Sequence, residues 1–273
     1  MSAKRRRPPK KATGPVPKTP GELDAMAAAG VALAECIELL RAEVREGLST
    51  LEVDRIAEEA VRARGAIPAF LGYPGGPTVP PFPGTICASL NDEVVHGIPG
   101  PVRLQDGDIF SVDIGLILDG WVADTARTFP IGSVTADAAR LISVTEAALA
   151  RGIDQARPGR HVGDIGHAVQ TEVEAGGYSV VRALVGHGVG RTMHEEPQVP
   201  NFGEPGTGPM LEPGIVIAIE PMVNAGGVDI TIDPDGWTIR TADGSLSAHA
   251  EHTVAVTENG PRILTRLSGT PER

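Results

Sequence analysis

Apolar residues recur every three or four positions from Gly21 to Gly47 (GELDAMAAAGVALAECIELLRAEVREG) and again from Leu51 to Gly65 (LEVDRIAEEAVRARG). That period predicts two amphipathic helices. Thr19 or Pro20 opens the first, Gly47 closes it, Ser49 or Thr50 caps the second, and Gly65 ends it. The pattern returns 112 residues later, where Thr135 opens ADAARLISVTEAALARGIDQARPG and a shorter helix ends near Gly177. On that offset Gly47 meets Gly159, Val53 meets Ile165, Ile56 meets Ala168, Val61 meets Val173 and Gly65 meets Gly177. Two helices followed by strands, twice over, predict a pseudo-twofold domain whose natural site is the seam between the halves. Between and after the helices the period shortens to two. Strands are expected at Val180 to Val185, at Ile215 to Ile219, and at Glu251 to Val256 meeting Arg262 to Leu264 across an Asn259-Gly260 turn.

The most informative strand pair is DIGLILDGWVAD, Asp113 to Asp124. Asp119-Gly120 between two apolar runs is a strong two-residue hairpin signal, because both turn residues must accept positive φ. Leu118 then pairs with Trp121 and Gly115 with Asp124. With side chains alternating in period two, Asp113 and Asp124 become diagonal neighbours on one face. Two carboxylates held among apolar neighbours raise each other's pKa unless a cation lies between them. Read alone, the pair is either a metal site or two solvated aspartates.

Other polar residues tilt the balance. Along IVIAIE, Glu220 shares a face with Val216 and Ala218, and in AHAEHTVAV Glu251 faces largely uncharged positions. A carboxylate on an apolar face needs a partner. His187 stands between two glycines, which permits close approach, and His194 follows seven residues later. Asp113, Asp124, His187, Glu220 and Glu251 together form an oxygen-rich set with one imidazole. Such a set suits two divalent ions and a water-activating hydrolase rather than a thiolate zinc site.

Composition narrows the setting. The 273 residues are 41% hydrophobic, enough to bury a sizeable core, and contain no run of 18 apolar residues. Cys36 and Cys87 are too few for a disulfide framework, so a cytoplasmic protein is expected, with Cys36 in the core. Residues 1–18 hold seven Lys/Arg, four prolines and no acid, against 17 basic and 35 acidic residues in the rest of the chain. This segment is expected to be a disordered basic arm, suited to a polyanion such as RNA or to no specific partner, ahead of a single domain over 19–273. Its Pro17-Lys18-Thr19-Pro20 is a weak polyproline-groove signal.

The segments SLNDEVVHGIPG (89–100), DGDIFSVDIGLILDGWVADTARTF (106–129), GHGVGRTMHEEPQVPNF (186–202), IAIEPMV (217–223) and DGSLSAHAEHTVAVTENG (243–260) closely resemble type I methionine aminopeptidases. The order and spacing of that family run through nearly the whole chain after the basic arm. The resemblance implies an α/β (α+β) pita-bread fold of the creatinase/aminopeptidase type, a pseudo-twofold duplicated antiparallel sheet covered by two helix pairs. It also implies removal of the initiator methionine from nascent polypeptides with a small second residue, by water activated at a dinuclear centre. Cobalt, manganese, iron and zinc all suit the ligands.

Matched residue by residue, Asp113, Asp124, His187, Glu220 and Glu251 are metal ligands, with Asp124 and Glu251 bridging. Glu220 doubles as general base. His194 and His96 become unliganded catalytic histidines that also contact the substrate, on the scissile carbonyl and amine sides. Tyr73, Phe82, Cys87, Met193 and Trp237 match pocket positions. His161, His167, His249 and His252 are left as surface or core histidines. Two departures stand out: PGGPTVPP between Tyr73 and Phe82 is longer than the family's short link, and Phe70 fills a position that is often small. A monomer is expected, with contact to the ribosome through residues 1–18. Xaa-Pro aminopeptidases and prolidases use the same five ligands but typically carry an extra N-terminal domain. A metal-free pita-bread protein that binds peptide or RNA would have lost ligands, and none is missing here.

Overall fold

A computed structural model describes residues 14–267, so most of the expected disordered arm (residues 1–13) and residues 268–273 lie outside the described residues. Helices α1 (Pro20–Glu43) and α2 (Thr50–Ala63) both begin on capping boxes. The Thr19 hydroxyl accepts from the Glu22 N–H while the Glu22 carboxylate accepts from the Thr19 N–H, and Ser49 with Glu52 repeats the exchange. The apolar faces of both helices pack on the first sheet through Leu33, Cys36, Leu40, Val53 and Val61. Cys36 is therefore core, its thiol pushed up to about 11 by burial.

That sheet is formed by β1 (Ile67–Pro68), β2 (Ile86–Leu90), β4 (Ile109–Leu118) and β5 (Trp121–Pro130), with β4 pairing to the other three antiparallel. Strand β3 (Glu93–Val95) leaves it to join the second half. The second half opens with α3 (Ala136–Asp154) and α4 (Val162–Ala175), followed by β6 (Ser179–Val180), β7 (Val185–Gly188), β8 (Glu195–Pro200) and β9 (Val216–Ile219). Then come β10 (Met222–Asn224), β11 (Ile230–Ile232), β12 (Ile239–Thr241), β13 (Ser247–His249), β14 (His252–Thr257) and β15 (Gly260–Ile263). The larger sheet of this half runs β15-β14-β9-β7-β8.

The structure repeats the pattern of the sequence. Helices α2 and α4 each have 14 residues and start at positions 50 and 162. Gly47 and Gly159, like Gly65 and Gly177, adopt left-handed φ values between 69° and 87°. Val53, Val61, Ile165 and Val173 are all fully buried. One expected strand divides. The chain at 180–185 belongs to two sheets, because β6 pairs with β10 whereas β7 pairs with β8 and β9. Residues between them cross from one sheet to the other.

The two halves are joined by side chains as much as by backbone. Thr253 Oγ1 accepts from the Asp124 N–H (3.0 Å) and donates to the Asp124 carbonyl (2.8 Å). Thr128 Oγ1 does the same with His249 (2.9 and 2.8 Å), and the Glu251 N–H reaches the Ala126 carbonyl (3.0 Å). Arg240 on β12 adds ion pairs to Asp92 and Glu93 beside β3 and to Asp233. Among the described residues no helix is long and apolar enough to cross a membrane.

The end of the basic segment departs from expectation. Lys18 donates its N–H to the Gly214 carbonyl (2.7 Å) and its ammonium to Glu195, so ordered structure begins before Thr19. The composition rule that marks this stretch as unable to fold ignores partners that a distant loop provides.

Helix α1 rests on the C-terminal segment at Gly30, where an added Cβ would lie 2.2 Å from the Leu264 carbonyl oxygen. Gly30→Ala should therefore cost about 1–3 kcal/mol, several degrees of Tm by thermal denaturation. Gly21→Ala, in the same helix but with open space around it, should leave Tm unchanged or slightly raised.

Candidate metal centre

The hairpin forms in the register the alternation predicts: Leu118 pairs with Trp121, Gly115 with Asp124 and Asp113 with Ala126. Asp119 (φ 51°) and Gly120 (φ 76°) both take the positive φ of the tight turn. Asp113 and Asp124 therefore face one cleft. Strand β7 brings His187 to it, the chain just after β9 brings Glu220, and the link between β13 and β14 brings Glu251. Ligand atoms of Asp124, His187 and Glu251 lie within 4.8 Å of one another. His187 Nε2 is 3.8 Å from Asp124 Oδ2 and 3.5 Å from Glu220 Oε1. The glycines beside His187 serve close packing, since a Cβ at Gly188 would lie 2.2 Å from the Glu196 carbonyl oxygen.

Burial dominates the electrostatics. Loss of solvent pushes all four carboxyls upward, and for Asp124, Glu220 and Glu251 the negative charges of their neighbours add to it. Asp113 Oδ1, Asp124 Oδ1 and Glu251 Oε1 are buried with no protein hydrogen-bond partner. The imidazole is prepared in the opposite sense. Burial lowers His187 to about 4, leaving it neutral, and its Nδ1 lies 2.9 Å from the Gly188 carbonyl. With the Nδ1 proton donated there, Nε2 turns a lone pair toward the carboxylates. Converging orphan oxygens beside an imidazole lone pair fit a divalent cation.

A cavity of about 300 Å³ opens beside the cluster, lined by all five of these residues and by His96, His194, Tyr73, Phe82, Cys87, Met193 and Trp237. His194 Nδ1 is 2.6 Å from the Tyr73 hydroxyl, and its ring centroid is 4.3 Å from that of His187. His96 takes a left-handed φ of 60° and burial lowers it to about 4. Phe82, at the far end of the insertion, is buried and edge-packed on Trp237 at 5.3 Å. The insertion itself touches the rim, where Trp237 Nε1 donates to the Pro80 carbonyl (2.9 Å). Phe70, Leu184 and Met222 also line the cavity. Neither Leu184 nor Met222 was singled out in the sequence, where Leu184 reads as a strand residue and Met222 only as part of the IAIEPMV segment.

Two histidines set aside in the sequence belong near the site. His249 is 1% exposed with both ring nitrogens unpartnered, and its Nε2 is 3.8 Å from Glu220 Oε2. Glu220 is thus bracketed by His187 and His249. His252 faces away, against Arg127 and Thr265, and Arg127 donates to the Glu251 carbonyl (2.7 Å).

A duplicated α/β fold with a buried carboxylate–imidazole cluster at its seam defines a metal-dependent hydrolase. Comparison with known proteins gives the family: the model of metallopeptidase family M24 matches residues 24–258, and the chain belongs to that family. It is 50% identical to a methionine aminopeptidase of Clostridium perfringens over 250 residues, 92% of this chain and 98% of that protein. Identity to the methionine aminopeptidase of Escherichia coli is 44%, over 91% of this chain and 92% of that one. The crystal structure of a Rickettsia prowazekii methionine aminopeptidase superposes with a TM-score of 0.88 at 41% identity, covering 92% of this chain and 99% of that one. A Pyrococcus furiosus prolidase shares the fold at 23% identity and a TM-score of 0.74, with 66% of its length covered.

A pH dependence follows from these shifts. A carboxyl raised on folding binds more protons in the folded state, so its contribution to stability falls as pH rises from its unfolded value near 4. For Asp113 the folded value is about 7. The lowered His96 and His187 act in the opposite direction, but only below about pH 6.5, where the unfolded imidazoles charge. Between about pH 6.5 and 8, chelator-treated protein should lose Tm as pH rises, with a limiting slope near 1.4 kcal/mol per pH unit for each proton released. Saturating divalent ion should suppress that loss, and a Tm that rises with pH in this window without metal would contradict the assignment.

Proposed function

We propose that the protein removes the N-terminal methionine from polypeptides with a small second residue, using two divalent ions held by Asp113, Asp124, His187, Glu220 and Glu251. The observation that carries this reading is one largely buried cluster of four carboxylates and a neutral imidazole opening into a largely apolar cavity of about 300 Å³. Asp124, His187 and Glu251, whose ligand atoms lie within 4.8 Å of one another, would be the heart of that ligand set. Cobalt, manganese, iron and zinc all fit such donors, and when bound they would polarise a peptide carbonyl and lower the pKa of water.

The protein groups then have distinct tasks. Glu220, ionised once cations are bound beside it, takes a proton from the attacking water and hands it to the departing amine. If the Tyr73 hydroxyl donates to His194 Nδ1, the single proton of the neutral ring sits on Nε2, from which it donates to the scissile carbonyl oxygen. His96, also neutral, contacts the amine side of the scissile bond. Met193, Cys87 and Phe82 line the cavity with apolar surface suited to an unbranched thioether side chain. The residues of the basic segment give an acidic protein one cationic arm, suited to ribosomal RNA where nascent N-termini emerge in the cytoplasm.

Enzyme stripped of metal and reloaded with manganese, iron, cobalt or zinc in turn should release methionine from Met-Ala-Ser peptides and leave Xaa-Pro peptides intact. Steady Xaa-Pro cleavage without methionine release would favour the prolidase reading. Asp124→Asn should abolish methionine release with far-UV circular dichroism unchanged, and His194→Ala should lower kcat by roughly 10²–10³-fold. Deleting residues 1–13, which keeps Lys18 in place, should weaken co-sedimentation with ribosomes at low salt; unchanged co-sedimentation would remove the RNA-arm reading.

A further inference from the structure

Lys18 stands apart from the residues that line the cleft, yet its side chain is only 9% exposed and its Nζ lies 2.7 Å from Glu195 Oε2. Glu195 directly follows His194 in the chain. Its other oxygen, Oε1, accepts from the backbone N–H groups of Arg191 (2.8 Å) and Thr192 (3.3 Å). The carboxylate therefore folds back over its own loop, against Gly190, where a Cβ would lie 2.3 Å from Oε1. The same loop has a second anchor. The Arg191 guanidinium donates to the Asp119 and Gly120 carbonyls (3.1 Å each) and stacks 3.6 Å over the Trp121 ring. Met193 and His194 sit between an anchor on the β4–β5 turn and an anchor on the N-terminal segment.

The Lys18 end of this clasp is itself built in. Its N–H bonds to the Gly214 carbonyl at 2.7 Å, its Nζ also donates to the Val16 carbonyl at 3.1 Å, and a Cβ at Gly214 would lie 2.6 Å from the Lys18 carbonyl oxygen. An exposed lysine–glutamate pair contributes little because both side chains are free to leave it. Here both backbones are fixed and the ammonium is withdrawn from water. Losing it would leave a partly buried carboxylate without its cation, at the hinge of the loop that presents His194.

We propose that Lys18, acting through Glu195, is a positioning residue for His194, so that the root of the N-terminal segment sets the geometry of the groups facing the scissile bond. This rests on the reading of His194 as the donor to the substrate carbonyl. A misplacement of about 1 Å in such a donor is enough to cost one to two orders of magnitude in rate.

The test compares wild type, Lys18→Met, Lys18→Arg and the double variant Lys18→Met/His194→Ala, each metal-loaded, on a Met-Ala-Ser peptide. Lys18→Met should lower kcat about tenfold with a much smaller change in KM, and Lys18→Arg should recover most of it. In the His194→Ala background Lys18→Met should have no further effect. Amide hydrogen exchange at residues 190–195 should quicken in Lys18→Met and not in Lys18→Arg. Unchanged exchange there, wild-type kcat in Lys18→Met, or an equal loss in the His194→Ala background would each overturn the proposal. The exchange measurement stands whatever the substrate proves to be, whereas a wild-type enzyme that releases no methionine would fail the functional reading instead.

Discussion

Four carboxylates, Asp113, Asp124, Glu220 and Glu251, share one cleft, and burial disfavours the charged form of each. Left to itself such a cluster pushes its own walls apart, so the scaffold has to be rigid for independent reasons. Rigidity comes from hydroxyls that work twice. Thr253 and Thr128 each accept a backbone N–H from the facing strand and return their own proton to that residue's carbonyl, which replaces a ladder where two sheets meet. Arg127, lowered to about 10 by burial, spends its fork on the Glu251 and Ala126 carbonyls and on His252 behind the cluster. Its charge lies behind the Glu251 backbone and leaves the cleft side open for a mobile cation.

The neutral histidines are the complement of that arrangement. Burial lowers His96, His187 and His194, so the rings facing the carboxylates bring donors and lone pairs without permanent positive charge. A protonated imidazole in any of these positions would compete with a divalent ion for the same oxygens. His96 accepts a left-handed backbone to reach its place, a conformation a non-glycine residue adopts at some cost, and the next residue ties it down: the Gly97 N–H bonds Ser89 Oγ and its carbonyl accepts from Ala88.

Much of this was legible in the sequence because it depends on short-range rules. A two-residue turn whose members both need positive φ fixes the hairpin register, and register fixes the face shared by Asp113 and Asp124. The repeat was legible because the left-handed glycines that close the helices recur at the same offset as the buried valine and isoleucine positions. What the sequence hid depends on distant partners. A strand predicted across 180–185 divides because its two ends pair in different sheets. His249 looks like any strand histidine until β13 carries it to within 3.8 Å of Glu220. Lys18 looks like part of a basic arm until Glu195, 177 residues away, is seen to hold it.

The insertion between Tyr73 and Phe82 belongs to the same category of distant dependence, and its effect reaches the cavity. Its ends are closed on each other by the Phe82 N–H bonding the Tyr73 carbonyl (2.9 Å) and the Gly72 N–H bonding the Phe82 carbonyl (2.8 Å), so the added residues leave the two flanking aromatics in place. A length change of this kind is cheap in chain entropy when the ends are fixed. The added loop then supplies an acceptor that a tryptophan needs: the Pro80 carbonyl takes the Trp237 indole N–H, and Val79 packs on Gly236. Trp237 in turn packs edge-on against Phe82 and His96, at 5.3 and 6.3 Å between centroids. Through that chain of contacts the loop is structurally joined to the His96 ring that lines the cavity, so shortening it would remove the carbonyl that fixes the Trp237 indole at the cavity wall rather than merely trimming the surface.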